Sequence, residues 1–324
     1  MPQKIILSRT DNLGDVVVTL PLAGYLKQVF PTAQIGFIGK KYTQPIIEHC
    51  RHIDFFLDKE NVLQHPEQLQ ADCIIFVFPD KELAQIAKKQ GIQLRIGTSH
   101  RWFHWLYCNK LVNFSRKNSP LHEAQLNFQL LSPLQITTVP PLADLANFYG
   151  LAAPENGTLP INIDRNKQRV ILHPKSKGSA REWSLEHYEQ LIQLLSPEKY
   201  QIFITGVAQE GEQIRQQRPS IFDYPHVTDT TGQLSLPELM TLFVNCHAFV
   251  ACSTGTLHIA AALGLKTIGI YPPIRPMHPA RWQPVGKQAT FLVEQKNCEA
   301  CRKTQQCACI NAITPLQVSK LLFN

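Results

Sequence analysis

Four short stretches hold most of the side chains that could do chemistry. The run Arg9-Thr-Asp-Asn-Leu-Gly-Asp15 follows a first apolar segment. Gly14 there permits a tight turn, and Asp15 falls in the first turn of the next helix. A carboxylate at the lip of a sheet can take a proton from an acceptor hydroxyl. It can equally complement a helix dipole. The run His173-Pro-Lys-Ser-Lys-Gly-Ser-Ala-Arg-Glu-Trp183 gathers Lys175, Lys177 and Arg181 with Ser176, Gly178 and Ser179. A donor-rich cationic loop of this kind suits a diphosphate; a solvated basic loop is the plainer alternative. In Thr205-Gly-Val-Ala-Gln-Glu210, Glu210 could accept from ribose hydroxyls or simply begin a helix. Finally, Ser253-Thr-Gly-Thr-Leu-His258 follows the apolar Phe249-Val-Ala251 and opens a small-residue helix closed by Gly264. Unpaired N–H groups and the positive dipole end stand there beside the hydroxyls of Ser253, Thr254 and Thr256, and Gly255 lets an anion come close. The same residue types are also ordinary N-caps.

Two further stretches are less decided. His278, Arg281 and Trp282 follow the stiff Pro272, Pro273 and Pro276 and could line a cleft or form a rigid surface loop. Cys298-x-x-Cys301 has good metal-ligand spacing, but Cys307-x-Cys309 is one residue too close for a regular zinc knuckle. Free thiols or a local clasp away from the active site are the favoured reading, a structural zinc the alternative. Cys50, Cys73, Cys108, Cys246 and Cys252 lie in apolar contexts and read as buried thiols.

The elements that must position these residues alternate. Strands are expected at Lys4–Leu7, Gln34–Ile38, Ile53–Leu57, Ala71–Phe78 and Gln93–Ile96, with helices at Val16–Phe30, Tyr42–His49 and Lys81–Lys89 between them. His122–Ser132 reads as a helix, and Trp102–Phe114 stays unassigned. Leu151–Asp164 carries Pro154, Gly157 and Pro160 with little periodicity, as an interdomain linker would. The rhythm then restarts, with strands at Arg169–Leu172, Gln201–Thr205, Phe249–Ala251 and Thr267–Ile270. Two βαβ blocks predict an α/β chain of two facing Rossmann-like domains, with ligands at the carboxyl ends of the strands. The expected division is 1–155, 156–313 and a C-terminal helix over 314–324.

Composition narrows the function. At 324 residues with 44% hydrophobic and 18% charged residues, the chain is an ordinary soluble protein with room for two cores. It contains neither a transmembrane-length apolar run nor a signal-peptide core, so a cytoplasmic location is expected. The net charge of +7 fits an anionic partner such as a nucleotide, a phosphorylated glycan or the inner membrane face. No Walker A or G-x-G-x-x-G spacing occurs, which argues against a nicotinamide cofactor, and nothing resembles a nucleic-acid-binding motif.

In this order, Arg9 to Val16, His173 to Trp183, Ser253 to Gly264 and His278 to Trp282 resemble the heptosyltransferase family, glycosyltransferase family nine, across nearly the whole chain. The resemblance implies a GT-B fold and inverting, metal-independent sugar transfer, usually from ADP-heptose, onto a lipopolysaccharide core acceptor. No cofactor is implied. Carried over, Asp15 is the general base. Arg181 falls on the phosphates, Glu210 near the ribose-binding acid, and Thr254, Gly255 and His258 on the diphosphate-binding turn and helix; the residue chemistry adds Lys175, Ser176, Ser253 and Thr256 to this nucleotide-sugar site. Asn12, Gly14 and Arg101 are expected on the side of a lipid-linked anionic acceptor, as is the aromatic and basic Arg101–Lys117 stretch; peripheral contact with the inner membrane is left open, and a solvated loop over a hydrophobic patch is the alternative. One departure stands out: many relatives have Asp where this chain has Ser253. It keeps open another nucleotide-sugar donor or a non-catalytic nucleotide- or glycan-binding protein, and the cysteine cluster keeps open a metal-dependent regulator.

Overall fold

The computed structural model describes residues 2–116, 119–294, 298, 301 and 307–323. The chain forms two compact units, Met1–Ala152 and Ala153–Asn324. The first is built on β1 (Lys4–Ser8), β2 (Gln34–Gly39), β3 (Phe55–Asp58), β4 (Cys73–Phe76), β5 (Leu94–Thr98) and β6 (Lys110–Val112). The second has β7 (Gln168–His173), β8 (Tyr200–Ile204), β9 (Val227–Asp229), β10 (Ala248–Cys252), β11 (Lys266–Tyr271) and β12 (Ala289–Val293).

The sheet orders are β3-β2-β1-β4-β5-β6 and β12-β11-β10-β7-β8-β9. Every pairing is parallel. Counted from its own first strand, each sheet runs 3-2-1-4-5-6, the doubly wound nucleotide-binding order. The chemistry of the strands explains this arrangement. Ile5, Ile6 and Leu7 of β1, and Phe249, Val250 and Ala251 of β10, are fully buried, as strands covered by helices on both faces must be.

In such a sheet the order reverses between the first and fourth strands, and the loops leaving that point diverge to make room for a ligand. In the first unit this point lies between β1 and β4, where Ser8 pairs with Phe76. Arg9 to Asp15 leaves from there. In the second it lies between β7 and β10, where His173 pairs with Ala251. The loops beginning at Pro174 and Ser253 leave from there.

Several expected elements differ in detail. Val16–Phe30 is not one helix but two, Leu13–Val17 and Leu20–Val29. Pro21 falls in the first turn of the second, where its missing N–H costs nothing; within a continuous helix it would break a bond to Val17. His122–Ser132 shortens to an α-helix over Glu123–Phe128 that tightens into a 3-10 segment carrying Pro133. The unassigned aromatic stretch is a helix, Trp102–Tyr107, followed by β6. Edge strands β6, β9 and β12 were not legible, since they are short or only half-buried and lack a strong apolar run. The helix Pro315–Phe323 packs on Leu185–Leu194 of the second unit. Among the described residues no helix is long and apolar enough to cross a membrane.

Gly24 gives a direct test of packing in the first unit. Alanine is about 1 kcal/mol better than glycine inside a free helix. Here, however, a Cβ on Gly24 would lie 2.1 Å from the backbone oxygen of Phe148. Overpacking typically costs about 1–3 kcal/mol, so it outweighs propensity. Gly24→Ala should lower stability by about that amount in urea unfolding; a gain would refute this close approach.

Candidate active site

At the end of β1, Arg9 turns back into the first unit and is almost fully buried. Its Nε donates to Asp11 Oδ1 at 2.8 Å, and its Nη1 to Asn127 Oδ1 at 3.3 Å. Both terminal nitrogens reach Glu123 Oε1 at 3.4 Å, and Nη2 also donates to Asp15. Arg116 approaches the same Glu123 oxygen at 2.9 Å. Three carboxylates therefore share two guanidinium groups. Burial opposes the charge on Arg9, but Asp11, Asp15 and Glu123 together raise its pKa further.

Asp15 feels the opposite balance. Burial raises its pKa, Arg9 pulls it down, and the charges of Asp11 and Glu123 push it up again, to about 6. It is thus a carboxylate ionised at neutral pH yet much more basic than a free aspartate, as a general base should be. Asn12 is exposed at the N-cap position and makes no side-chain cap bond. Gly14 does not make the expected tight turn: it lies inside the helix Leu13–Val17, outside the left-handed region. Arg101 is exposed, one residue before the helix Trp102–Tyr107.

In the second unit, three loops leave the same end of β7, β8 and β10. His173 is buried, its Nδ1 2.9 Å from Thr205 Oγ1, and burial lowers its pKa to about 4, so the ring is neutral. Beyond it the loop is held from inside by carboxylates. Glu182 accepts from Lys175 Nζ at 3.3 Å and from both the backbone N–H and the hydroxyl of Ser176 at 2.9 Å. Lys175 also donates to Gln217 Oε1 at 3.0 Å. Glu210 accepts from the N–H of Lys177 at 3.1 Å and of Val207 at 2.9 Å. Lys177 and Gly178 sit in the left-handed region, with φ of 48° and 78°.

Of the three cations in this loop, Lys175 is buried and paired, and Lys177 is exposed. Arg181 keeps a buried Nε with no hydrogen-bond partner among the described residues. In the loop after β10, Thr254 precedes the helix Gly255–Ala262 in an extended conformation. Its hydroxyl lies 2.9 Å from that of Thr256 and caps no helix N–H, so the ordinary N-cap reading of Thr254 does not hold. Ser253 is half-buried, with its side chain near the Tyr271 hydroxyl. His258 is buried one turn into the helix, its ring centroid 6.2 Å from that of Trp282.

Four residues that organise these sites were not among those singled out from the sequence. Arg9 could have been: an arginine directly after an apolar strand must find acids. Glu182 lies within the basic loop, where an acid among cations signals an internal clamp. Glu123 and Asn127 carry no sequence signal, because they meet Arg9 only through the fold.

The model of glycosyltransferase family 9 (heptosyltransferase) matches residues 81–310. The chain belongs to glycosyltransferase family 9. A Haemophilus influenzae protein assigned as a glycosyltransferase is 28% identical over 87% of this chain and 86% of its own length. Lipooligosaccharide heptosyltransferase 2 of Haemophilus ducreyi is 22% identical, over 89% and 88%. The ADP-heptose LPS heptosyltransferase II of Escherichia coli shares the fold, with a TM-score of 0.73 at 17% identity over 99% of this chain and 98% of that one. Two Rossmann-like units in one chain are the GT-B composition, and the activity of this family 9 enzyme is glycosyl transfer from a nucleotide sugar.

The balance at Asp15 fixes a pH dependence. As pH falls through about 6 the carboxylate takes up a proton, and kcat/KM should fall with it. His173, neutral down to about pH 4, adds nothing in that window. The Glu123 charge raises the Asp15 pKa, so Glu123→Gln should move the acid limb to lower pH. A limb that stays in place or moves upward would contradict this account of Asp15.

Proposed function

We propose that this enzyme transfers heptose from ADP-heptose, with inversion, onto a lipopolysaccharide-type core acceptor, and needs no metal for the step. Asp15 removes the proton from an acceptor hydroxyl as its oxygen attacks the anomeric carbon. The bond to the nucleoside diphosphate breaks on the opposite face, and the diphosphate leaves with growing negative charge. Arg181, the hydroxyls of Thr254 and Thr256 and the first N–H groups of the helix Gly255–Ala262 stabilise that charge. Glu210 keeps lone pairs free to accept from ribose hydroxyls while it holds the loop.

The observation that carries the reading is the pair of unsatisfied donors at the second unit's switch point. Arg181 Nε has no protein partner among the described residues, and Thr254 leaves the helix start uncapped. An anion with several oxygens satisfies both. The names of the relatives, two of them heptosyltransferases, supply the sugar.

Asp15→Asn separates catalysis from binding. It should fold, keep the thermal shift given by ADP, and lose transfer by roughly 10²- to 10⁴-fold, the usual worth of a positioned base. Unchanged turnover would remove Asp15 from that role. Turnover that depends on added magnesium or manganese, with no change in the melting temperature, would refute the metal-independent step.

We also propose that the helix Trp102–Tyr107 touches an anionic membrane surface. Trp102, Trp105 and Leu106 are more than half exposed. Lys81 Nζ lies 5.1 Å from the Trp102 ring and Lys88 Nζ 6.0 Å from that of Tyr107, so cations flank the apolar face. The protein should sediment with phosphatidylglycerol vesicles, less so in high salt. Trp102→Ser with Trp105→Ser should abolish this; binding to neutral vesicles alone, or no loss in the double variant, would contradict it.

A further inference from the structure

Four cysteines near the C-terminus are used by nothing described above. All nine cysteines are free thiols. Cys50, Cys73, Cys108 and Cys252 are buried and Cys246 half-buried. Three of the other four converge, and the fourth joins them through one member. The sulfurs of Cys298, Cys301 and Cys309 all lie within 4.8 Å of one another, and Cys307 Sγ is 3.0 Å from Cys301 Sγ. Cys301, Cys307 and Cys309 are almost fully buried against the core of the second unit, and Cys298 packs on its margin.

Packing alone does not require this. A buried thiol serves as a small hydrophobe wherever it sits, and nothing in that role brings four of them together. Metal coordination does. With metal–sulfur bonds of about 2.3 Å in a tetrahedron, neighbouring sulfurs stand about 3.8 Å apart. A limit of 4.8 Å for three of the sulfurs, with Cys307 3.0 Å from Cys301, puts all four within reach of that arrangement by small side-chain rotations. The chain turns tightly here, with the N–H groups of Ile310 and Asn311 both donating to the Cys307 carbonyl, at 3.1 and 3.3 Å. The close Cys307-x-Cys309 spacing is workable because the chain turns into the short helix Ala308–Asn311 between them.

We propose that Cys298, Cys301, Cys307 and Cys309 bind one tetrahedral, thiolate-preferring cation, zinc or iron, as a structural centre. Each thiol gives up its proton on binding, so four sulfurs fill the coordination sphere and leave no open position for substrate. Soft sulfur ligands select against magnesium and calcium.

The centre secures the donor-side loop from behind. Just past Cys309, Asn311 Oδ1 accepts from the Ser184 N–H at 3.0 Å, and the Ile313 carbonyl accepts from Trp183 Nε1 at 2.8 Å. The N–H of Trp183 in turn donates to Cys252 Sγ at 3.2 Å. Trp183 ends the loop that begins at His173, so the metal-bound segment holds one foot of that loop.

The test needs no glycosyl acceptor and stands whether or not the heptose reading does. Protein purified under reducing conditions without chelators or metal-affinity resin should hold about one equivalent of zinc or iron per chain by elemental analysis. Cys298→Ser and Cys309→Ser should each lose most of it, while Cys246→Ser keeps it. Chelation should lower the melting temperature, and returning the metal should restore it, because the ion binds the native state. Should the serine variants fail to fold, cobalt(II) added to the chelated unsubstituted protein decides: sulfur-to-cobalt charge transfer with tetrahedral ligand-field bands is expected. Absence of any stoichiometric transition metal together with no such cobalt spectrum would overturn the proposal, as would a Cys301–Cys307 disulfide in protein kept reducing throughout.

Discussion

The arrangement at the first unit's switch point depends on where Arg9 finds its partners. A guanidinium this deeply buried is tolerated only when its donors are matched by acceptors in good geometry. Arg9 finds them in three separate pieces of chain: Asp11 in the loop, Asp15 in the helix Leu13–Val17, and Glu123 with Asn127 in the helix Glu123–Phe128. Asn127 continues the link through its Nδ2 to the carbonyl of Val18 and the hydroxyl of Thr19. The same contacts that close this end of the sheet also set the chemistry. Two arginines share three acids, so Asp15 remains held in place yet under-compensated, and its basicity follows from burial first and from the neighbouring acids second.

The second unit solves a related problem with the charges reversed. Its loop carries three cations, and an unsupported loop of that kind would swing freely in water. Glu182 and Glu210 instead fix its backbone at Ser176 and Lys177. A left-handed lysine costs about 1 kcal/mol relative to ordinary backbone, and the Glu210 bond to its N–H offsets that. Lys175 is held as internal support, which leaves the exposed Lys177 and the Arg181 guanidinium, its Nε without a partner among the described residues, as the loop's other cations. Preorganised donors of this kind need little reorganisation when charge develops on a ligand.

Much of this was legible in the sequence, and the exceptions share a cause. Continuous apolar runs such as Ile5-Ile6-Leu7 and Phe249-Val-Ala251 marked central parallel strands, because burial on both faces leaves no polar alternation. The edge strands β9 and β12, half-buried, gave no comparable run. Asp15, Arg181 and the Thr254 turn stand out in the sequence because turn residues after a strand are a local pattern, and the fold sets each of them at a strand's carboxyl end. Glu123 was not, since its meeting with Arg9 spans more than a hundred residues of chain and depends on β1 and the helix Glu123–Phe128 being packed. The partners of Lys175 were hidden for the same reason: a lysine in a basic loop reads as a ligand group, and only the fold adds Glu182 and Gln217 beside it.

Ser253 now has a local physical reason of its own. The Tyr271 hydroxyl has one proton, and it donates that proton to the carbonyl of Trp282. Its oxygen is left as an acceptor, and the Ser253 hydroxyl can supply the donor. An ionised aspartate at this position has no proton to offer. It could only accept, from a Tyr271 proton already given to Trp282, whose ring lies 6.2 Å from that of His258 in the helix that follows the turn. The chain gains a neutral, hydrogen-bonded wall at the start of the helix Gly255–Ala262, where a carboxylate would have set a negative charge beside any bound diphosphate.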